Sequence, residues 1–317
     1  MPSHNRSFDY DLTPSPRRRR RRFDDEDDPA PRRCGRPDLA ALDGRGGTDP
    51  DAPSAGDRWS TWGAAAQLGP QPRPRWAFTE HAAVDTELGL LKTGKEADVH
   101  LLERAVPGSD RRTLLAAKRY RSPEHRLFHR DAGYLEGRRV RRSRETRAMA
   151  NRTAFGRDLL AGQWATPEFA ALGRLWAAGV AVPYPVQVSG TELLLEFVGS
   201  GDGAAAPRLA QLRPRPAELA DLWRQLVEAL LGLAREGLTH GDLSAYNVLV
   251  HEGRLVLIDL PQVVDVVGNP RGPQFLARDV RGIGGWFAAR GLPPEVGDPA
   301  ALLDELRVAA GVGPARH

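Results

Sequence analysis

The sequence predicts an α+β protein in two lobes, a β-rich first half and a mainly helical second half, behind a charged tail. Three observations carry that prediction. Short apolar runs joined by turns crowd residues 89–120, leucines recur at helical spacing from residue 216 onward, and a Gly/Ala/Pro-rich connector, Gly199–Pro207, separates the two patterns. With 317 residues and 41% hydrophobic side chains, the chain is long enough to enclose a buried site.

Residues 1–75 are rich in Pro, Gly, Arg and Asp and poor in aliphatics, so they are expected to be a disordered charged tail. Within the tail, Arg17–Arg22 are followed by Asp24–Asp28, a basic run whose neighbours compete for any nucleic acid it could hold. The net charge is a modest +4. A single cysteine, Cys34, allows no internal disulfide and fits a reducing, cytoplasmic setting. The N-terminus is polar, without the apolar segment of a secretory signal. No window approaches the roughly 18 apolar residues of a membrane span, so no membrane partner is expected.

Residues 76–198 read as the first lobe. "GLLKTGKEADVHLLE" (Gly89–Glu103) and "TLLAAKRY" (Thr113–Tyr120) predict three short strands. Residues 119–157 then carry twelve arginines against four acids. That basic insertion is either a solvated face or a surface that meets phosphate, of RNA, a ribosome or another acidic partner. In "TPEFAALGRLWAAG", Thr166 as N-cap, Pro167 at the first helical position and Gly179 at the end bound a helix with Phe169, Leu172 and Trp176 on one face. A hairpin follows, with strands around Val186–Val188 and Leu193–Val198 turned at Ser189-Gly190.

Residues 199–317 read as the second lobe. Leu219, Leu222, Leu226, Leu230 and Leu233 mark a helix over 216–236 that Gly237 ends. Strands are predicted at Val248–Val250 and Leu255–Ile258, then helices over 278–290 and about 299–309. There are no internal repeats.

The polar residues of "LTHGDLSAYNVLV" (238–250) stand against an apolar strand, and their spacing has a chemical reading. Phosphoryl transfer needs a phosphate cradle, a cation on the phosphates, metal ligands and a carboxylate that orients the attacking hydroxyl. Asp242 and Asn247 have the D-x-x-x-x-N spacing of a phosphotransfer loop, and Asp259 follows an apolar strand that would deliver it beside them. Asp242 read alone would be a turn-capping aspartate; the three offsets together favour catalysis. Mg²⁺, with Mn²⁺ as a substitute, suits such an all-oxygen set. Lys118, inside the strand "LLAAKRY", needs an anionic partner because an unpaired buried ammonium is costly. Glu168 is the candidate, although Pro167 sets it in the first turn, where the helix dipole alone would favour an acid. His240 reads as a brace hydrogen-bonded to backbone.

Together these residues resemble the RIO family of atypical serine/threonine protein kinases. The matching pieces are "TGKEADV", "AAKRY", "WATPEFAALGRLWAAGVAVPYPV", "LLLEFVG", "HGDLSAYNVLV" and "LIDLPQ", over roughly Trp76–Arg290. The resemblance implies a two-lobed protein-kinase-like fold and ATP- and Mg²⁺-dependent phosphotransfer to a protein that the sequence does not name. It implies that Thr93, Gly94, Lys95 and Val99 line the nucleotide, that Lys118, paired with Glu168, contacts its phosphates, and that the backbone of Glu196 to Val198 meets adenine. Asp242 would be the catalytic aspartate; Asn247 and Asp259 would hold metal, and Asp259 could itself accept phosphate and support ATPase activity. Gly241 stands where many kinases carry an arginine that clamps a phosphorylated loop, and no A-P-E sequence follows Asp259, so regulation by loop phosphorylation is not expected. "HGD" also resembles aminoglycoside and choline phosphotransferases, which keeps a small-molecule kinase as the alternative, beside an ATP-regulated RNA- or ribosome-associated binding protein.

Overall fold

The computed structural model describes residue 53, residues 55–121 and residues 154–313; over 154–164 only the backbone is described. All of them fall within one compact unit, Pro31–His317. Cys34, the arginine and acidic runs of the tail and most of the basic insertion lie outside the described residues.

The first lobe is an antiparallel sheet of seven strands, whose order across the sheet is β1 (Arg58–Trp59), β3 (Val84–Thr93), β4 (Ala97–Ala105), β5 (Arg112–Tyr120), β7 (Glu192–Glu196), β6 (Pro185–Ser189) and β2 (Gln67–Leu68). The β3–β4–β5 meander and the β6–β7 hairpin form where the alternating apolar runs and turn residues predict them. β1 and β2 form the two opposite edges, so the short segment between them, with Trp62 on a 3₁₀ turn, straps one face of the sheet. Trp62 and Ala77 pack there with Leu102, Leu115, Ala117, Tyr184, Val186 and Leu194.

Pairing thus begins at Arg58, ahead of Trp76, inside the stretch expected to be tail. The composition is misleading there because the buried area comes from one large aromatic rather than from aliphatics. Arg73 lies 4.9 Å from the centroid of the Trp62 ring and covers its outer side.

A long helix, α1 (Ala154–Ala177), packs on the sheet. It starts well before the expected N-cap, and Pro167 lies inside it rather than at its first position. Proline lacks one amide donor and crowds the preceding turn. Burial outweighs that loss, since Ala165, Phe169, Leu172 and Leu175 are each 4% exposed or less on the face turned to the core.

After the connector, α2 (Pro216–Arg235) buries Leu219, Leu222, Trp223, Leu226, Leu230 and Leu233, the leucine stripe read from the sequence. Two small antiparallel ladders follow: β8 (Leu238–Thr239) with β11 (Val264–Asp265), and β9 (Val248–His251) with β10 (Arg254–Leu257). α3 (Gly272–Ala288) and α4 (Pro299–Ala309) complete the lobe. One core runs from Tyr120 and Leu193 in the sheet through α1 to these helices. The strand ends and loops at the mouth between the two halves carry the polar residues singled out above.

Candidate active site

Lys118 lies in β5 with its ammonium 2.8 Å from Glu168 Oε1 and 2.6 Å from Asp259 Oδ1. The pairing that Pro167 argued against is therefore present: with α1 running on through the proline, Glu168 falls in mid-helix on the face toward the sheet. Glu168 is 1% exposed and uses both oxygens, accepting also from the Tyr120 hydroxyl and, at 3.0 Å, from the Leu260 amide. One buried carboxylate thus ties β5, α1 and the segment after β10 together. Burial disfavours the charged ammonium of Lys118, but the carboxylates of Glu168 and Asp259 outweigh it and hold the group protonated, well above the usual lysine range.

Asp259 follows the β10 strand and has a left-handed backbone, φ +64°, which an aspartate tolerates better than a bulky residue. That turn directs its side chain, 41% exposed, back to Lys118. Desolvation opposes its ionisation, but the Lys118 ammonium prevails, with help from Lys92 and His240, and brings its pKa down to about 2. Asp259 is a carboxylate throughout the physiological range.

The loop between β8 and β9 is held from behind. Asp279 on α3, 2% exposed, accepts from Thr239 Oγ1 at 2.9 Å, from the Gly241 amide at 2.7 Å and from the Leu243 amide at 3.2 Å. The Gly241 carbonyl accepts from Arg278. Asp242, between the two held amides, is exposed. Asn247 Nδ2 donates to the Asp242 carbonyl at 2.9 Å, so its side-chain oxygen takes no part in that bond. The Ile258 amide donates to the Asn247 carbonyl at 3.0 Å. His240 Nε2 lies 3.0 Å from the Ile258 carbonyl, the bracing bond expected of it. The loop and the segment that follows β10 are thereby stitched together through both main-chain groups of Ile258.

Gly241 has φ +83°. A glycine belongs there because the backbone must turn left-handed to present its amide to Asp279. "HGD" thus has a conformational cause that needs no small-molecule substrate. Gly241→Ala is expected to lower stability by about 1–2 kcal/mol, read as a lower urea midpoint at unchanged slope; an unchanged midpoint would contradict the cause given.

The "TGKEADV" segment is the β3–β4 turn. The Gly94 amide donates to the Ala97 carbonyl at 2.9 Å, and a Cβ on Gly94 would stand 2.9 Å from that same oxygen, so only glycine closes the turn this tightly. Thr93 is paired with Asp98 and hydrogen-bonds to its carboxylate. Lys95 is exposed at the tip, while Val99 sits directly opposite Lys118 in the ladder. At the connector, Glu196 accepts from the Tyr184 amide at 2.9 Å, and burial raises its pKa despite that bond. The Val198 carbonyl accepts from the Ala206 amide.

Two residues of this arrangement were not among the sequence candidates. Tyr120, next but one to Lys118, looked like an ordinary strand aromatic. Asp279 did carry a signal: it is an acid in step with Leu276, Val280 and Ile283, the buried stripe of α3, where an acid needs donors to survive burial.

The RIO domain model matches residues 117–298, more than half of the chain. The chain belongs to the RIO family. Among its RIO relatives, the RIO-type serine/threonine-protein kinase Rio1 of Haloferax volcanii is 35% identical over 217 residues, 68% of either chain. The serine/threonine-protein kinase RIO1 of Chaetomium thermophilum is 31% identical over 213 residues, which is 64% of this chain and 40% of that protein. A crystal structure of the Rio2 kinase–ADP/Mg²⁺–phosphoaspartate complex from Chaetomium thermophilum shares the fold, with a TM-score of 0.50 at 22% identity over 70% of this chain and 60% of that one. The RIO match starts at Ala117, so the strap formed by residues 58–68 lies ahead of it.

Proposed function

We propose that this chain is an ATP- and Mg²⁺-dependent serine/threonine protein kinase of the RIO type. The observation that carries the reading is the convergence of Lys118, Asp259 and the Asp242–Asn247 loop on one mouth, each held by hydrogen bonds. The residues suit the group they would hold. The side-chain oxygens that would meet a metal are that of Asn247 and the second carboxylate oxygen of Asp259, since Lys118 holds the first; oxygen is the ligand type Mg²⁺ takes and Mn²⁺ accepts. A bound Mg²⁺ supplies charge neutralisation for the phosphates.

The chain's own residues do the rest. Lys118, kept protonated and aimed by Glu168, binds phosphate oxygens. The Gly94 turn lets backbone approach the phosphates, with Thr93 and Lys95 beside it, and Val99 and the backbone of Glu196 to Val198 enclose the base. Asp242 accepts the proton of the attacking hydroxyl, and its exposed position lets a protein acceptor reach it. The relatives' names support a Ser/Thr hydroxyl as acceptor. ATP supply and the lone cysteine support a cytoplasmic setting; among the described residues no helix is long and apolar enough to cross a membrane.

A specific observation favours a second use of the same site. Asp259 is ionised, partly exposed and set against a lysine, the state of a carboxylate able to attack phosphorus itself. Attack of Asp259 on the γ-phosphorus of ATP would break the bond from that phosphorus to the β,γ-bridging oxygen, release ADP and leave an acyl phosphate. Water would then release inorganic phosphate and restore the carboxylate, making the protein an ATPase. The neighbouring Rio2 structure is described as a phosphoaspartate complex, which supports this use. Purified protein incubated with γ-labelled ATP and Mg²⁺, alone and with protein acceptors, separates the two: label on a hydroxyl survives acid, and label on Asp259 is released by hydroxylamine. Neither label nor ATP consumption would contradict both.

A further inference from the structure

Lys92 stands in β3, two residues before Gly94. Sheet register aligns four strands here, Lys92 with Val99, Val99 with Lys118, and Lys118 with Leu193. Residues paired in this way project from the same face of a sheet. Lys118 identifies the face, since its ammonium meets Glu168 and Asp259 in the cleft. The other face is the one closed by Trp62, Ala77 and Tyr184 over Leu102, Leu115, Ala117 and Leu194.

Lys92 reaches the cleft face through a local irregularity. Leu90 pairs with His100 and Lys92 with Val99, so Leu91 is an extra residue in β3. Without it, Leu91 would oppose Val99, and Lys92 would oppose Asp98 on the far face. Bulges of this kind re-aim side chains next to active sites. Adjacent strands lie about 4.8 Å apart, which puts the Lys92 and Lys118 backbones about 10 Å apart on one face. Two flexible lysine stems at that separation can converge on a chain of phosphates. Lys92 already acts across the cleft, adding to the attraction that keeps Asp259 ionised. Lys95, the lysine within the glycine turn, is exposed at its tip instead.

We propose that Lys92 is a second phosphate-binding cation, reaching from β3 to the terminal phosphates of the nucleotide opposite Lys118. The inference rests on the Mg²⁺-ATP reading above. It is tested by calorimetric binding of ATP and of adenosine, without metal, to the full chain and to Lys92→Ala and Lys92→Arg. Lys92→Ala is expected to weaken ATP about tenfold, the scale of one charge-assisted contact, leaving adenosine within about twofold; Lys92→Arg should restore most of the ATP affinity. Unchanged adenosine binding also shows that the variant is folded. An ATP-to-adenosine affinity ratio in Lys92→Ala equal to that of the wild type would overturn the inference and leave the kinase reading standing. Wild-type protein that binds neither ligand would overturn the kinase reading, and the inference with it.

Discussion

Asp242→Ala is expected to lower phosphotransfer by about 10²- to 10⁴-fold, the range for a lost general base, with nucleotide affinity close to that of the wild type. The geometry separates the two effects. The loop is held through the amides of Gly241 and Leu243, which donate to Asp279, and through the Asp242 carbonyl, which accepts from Asn247. All of these are main-chain atoms, and alanine keeps them. The Asp242 carboxylate is free for the reaction, and Lys118 with its partners stands on the other side of the mouth. Turnover and ATP binding measured separately on the same preparation check this. A variant that keeps wild-type turnover would remove Asp242 from the chemistry, and one that loses ATP affinity in proportion to turnover would make its role one of binding.

Asp279→Ala should have the largest effect on stability. It strips acceptors from the Thr239 hydroxyl and the Gly241 and Leu243 amides, all of them buried. Hydrogen bonds to a buried charge are worth about 1.5–3 kcal/mol each and do not add, so a loss of about 3–5 kcal/mol is expected. Denaturant unfolding checks the number. Asp279→Asn, which keeps an acceptor oxygen and loses the charge, should fall between the two. Where it folds, its turnover should drop more than its ATP affinity, because the loop that presents Asp242 would be less well held. A midpoint for Asp279→Ala within error of wild type would show that the loop is held by something else.

The second lobe was the most legible part of the chain, because leucines at helical spacing report both the helix and its buried face. The candidate site was legible as a cluster through residues with strict spacing: Asp242, Asn247 and Asp259 sit on one loop and just past one strand, where sequence separation limits their placement in space. Pairings across elements were less so. Pro167 pointed to a helix start, yet burial of Phe169, Leu172 and Leu175 carries α1 through it, and that continuation is what brings Glu168 to Lys118. Pairing upstream of Trp76 was hidden for a similar reason: Trp62 joins a core whose other members come from distant strands. Lys92 faces the cleft because of one extra residue, and a register shift leaves no trace in composition or period.

If Asp259 and its neighbours form a single phosphotransfer centre, every activity of the chain depends on that one carboxylate. Label from γ-labelled ATP with Mg²⁺, followed in wild type and in Asp259→Asn, tests this, because the variant keeps the size of the side chain and removes its charge. The metal ligand and the nucleophile are then lost together, so hydroxyl-bound label, hydroxylamine-sensitive label and ATP consumption should all fall to background. Wild-type levels of any of the three in Asp259→Asn would contradict a single centre.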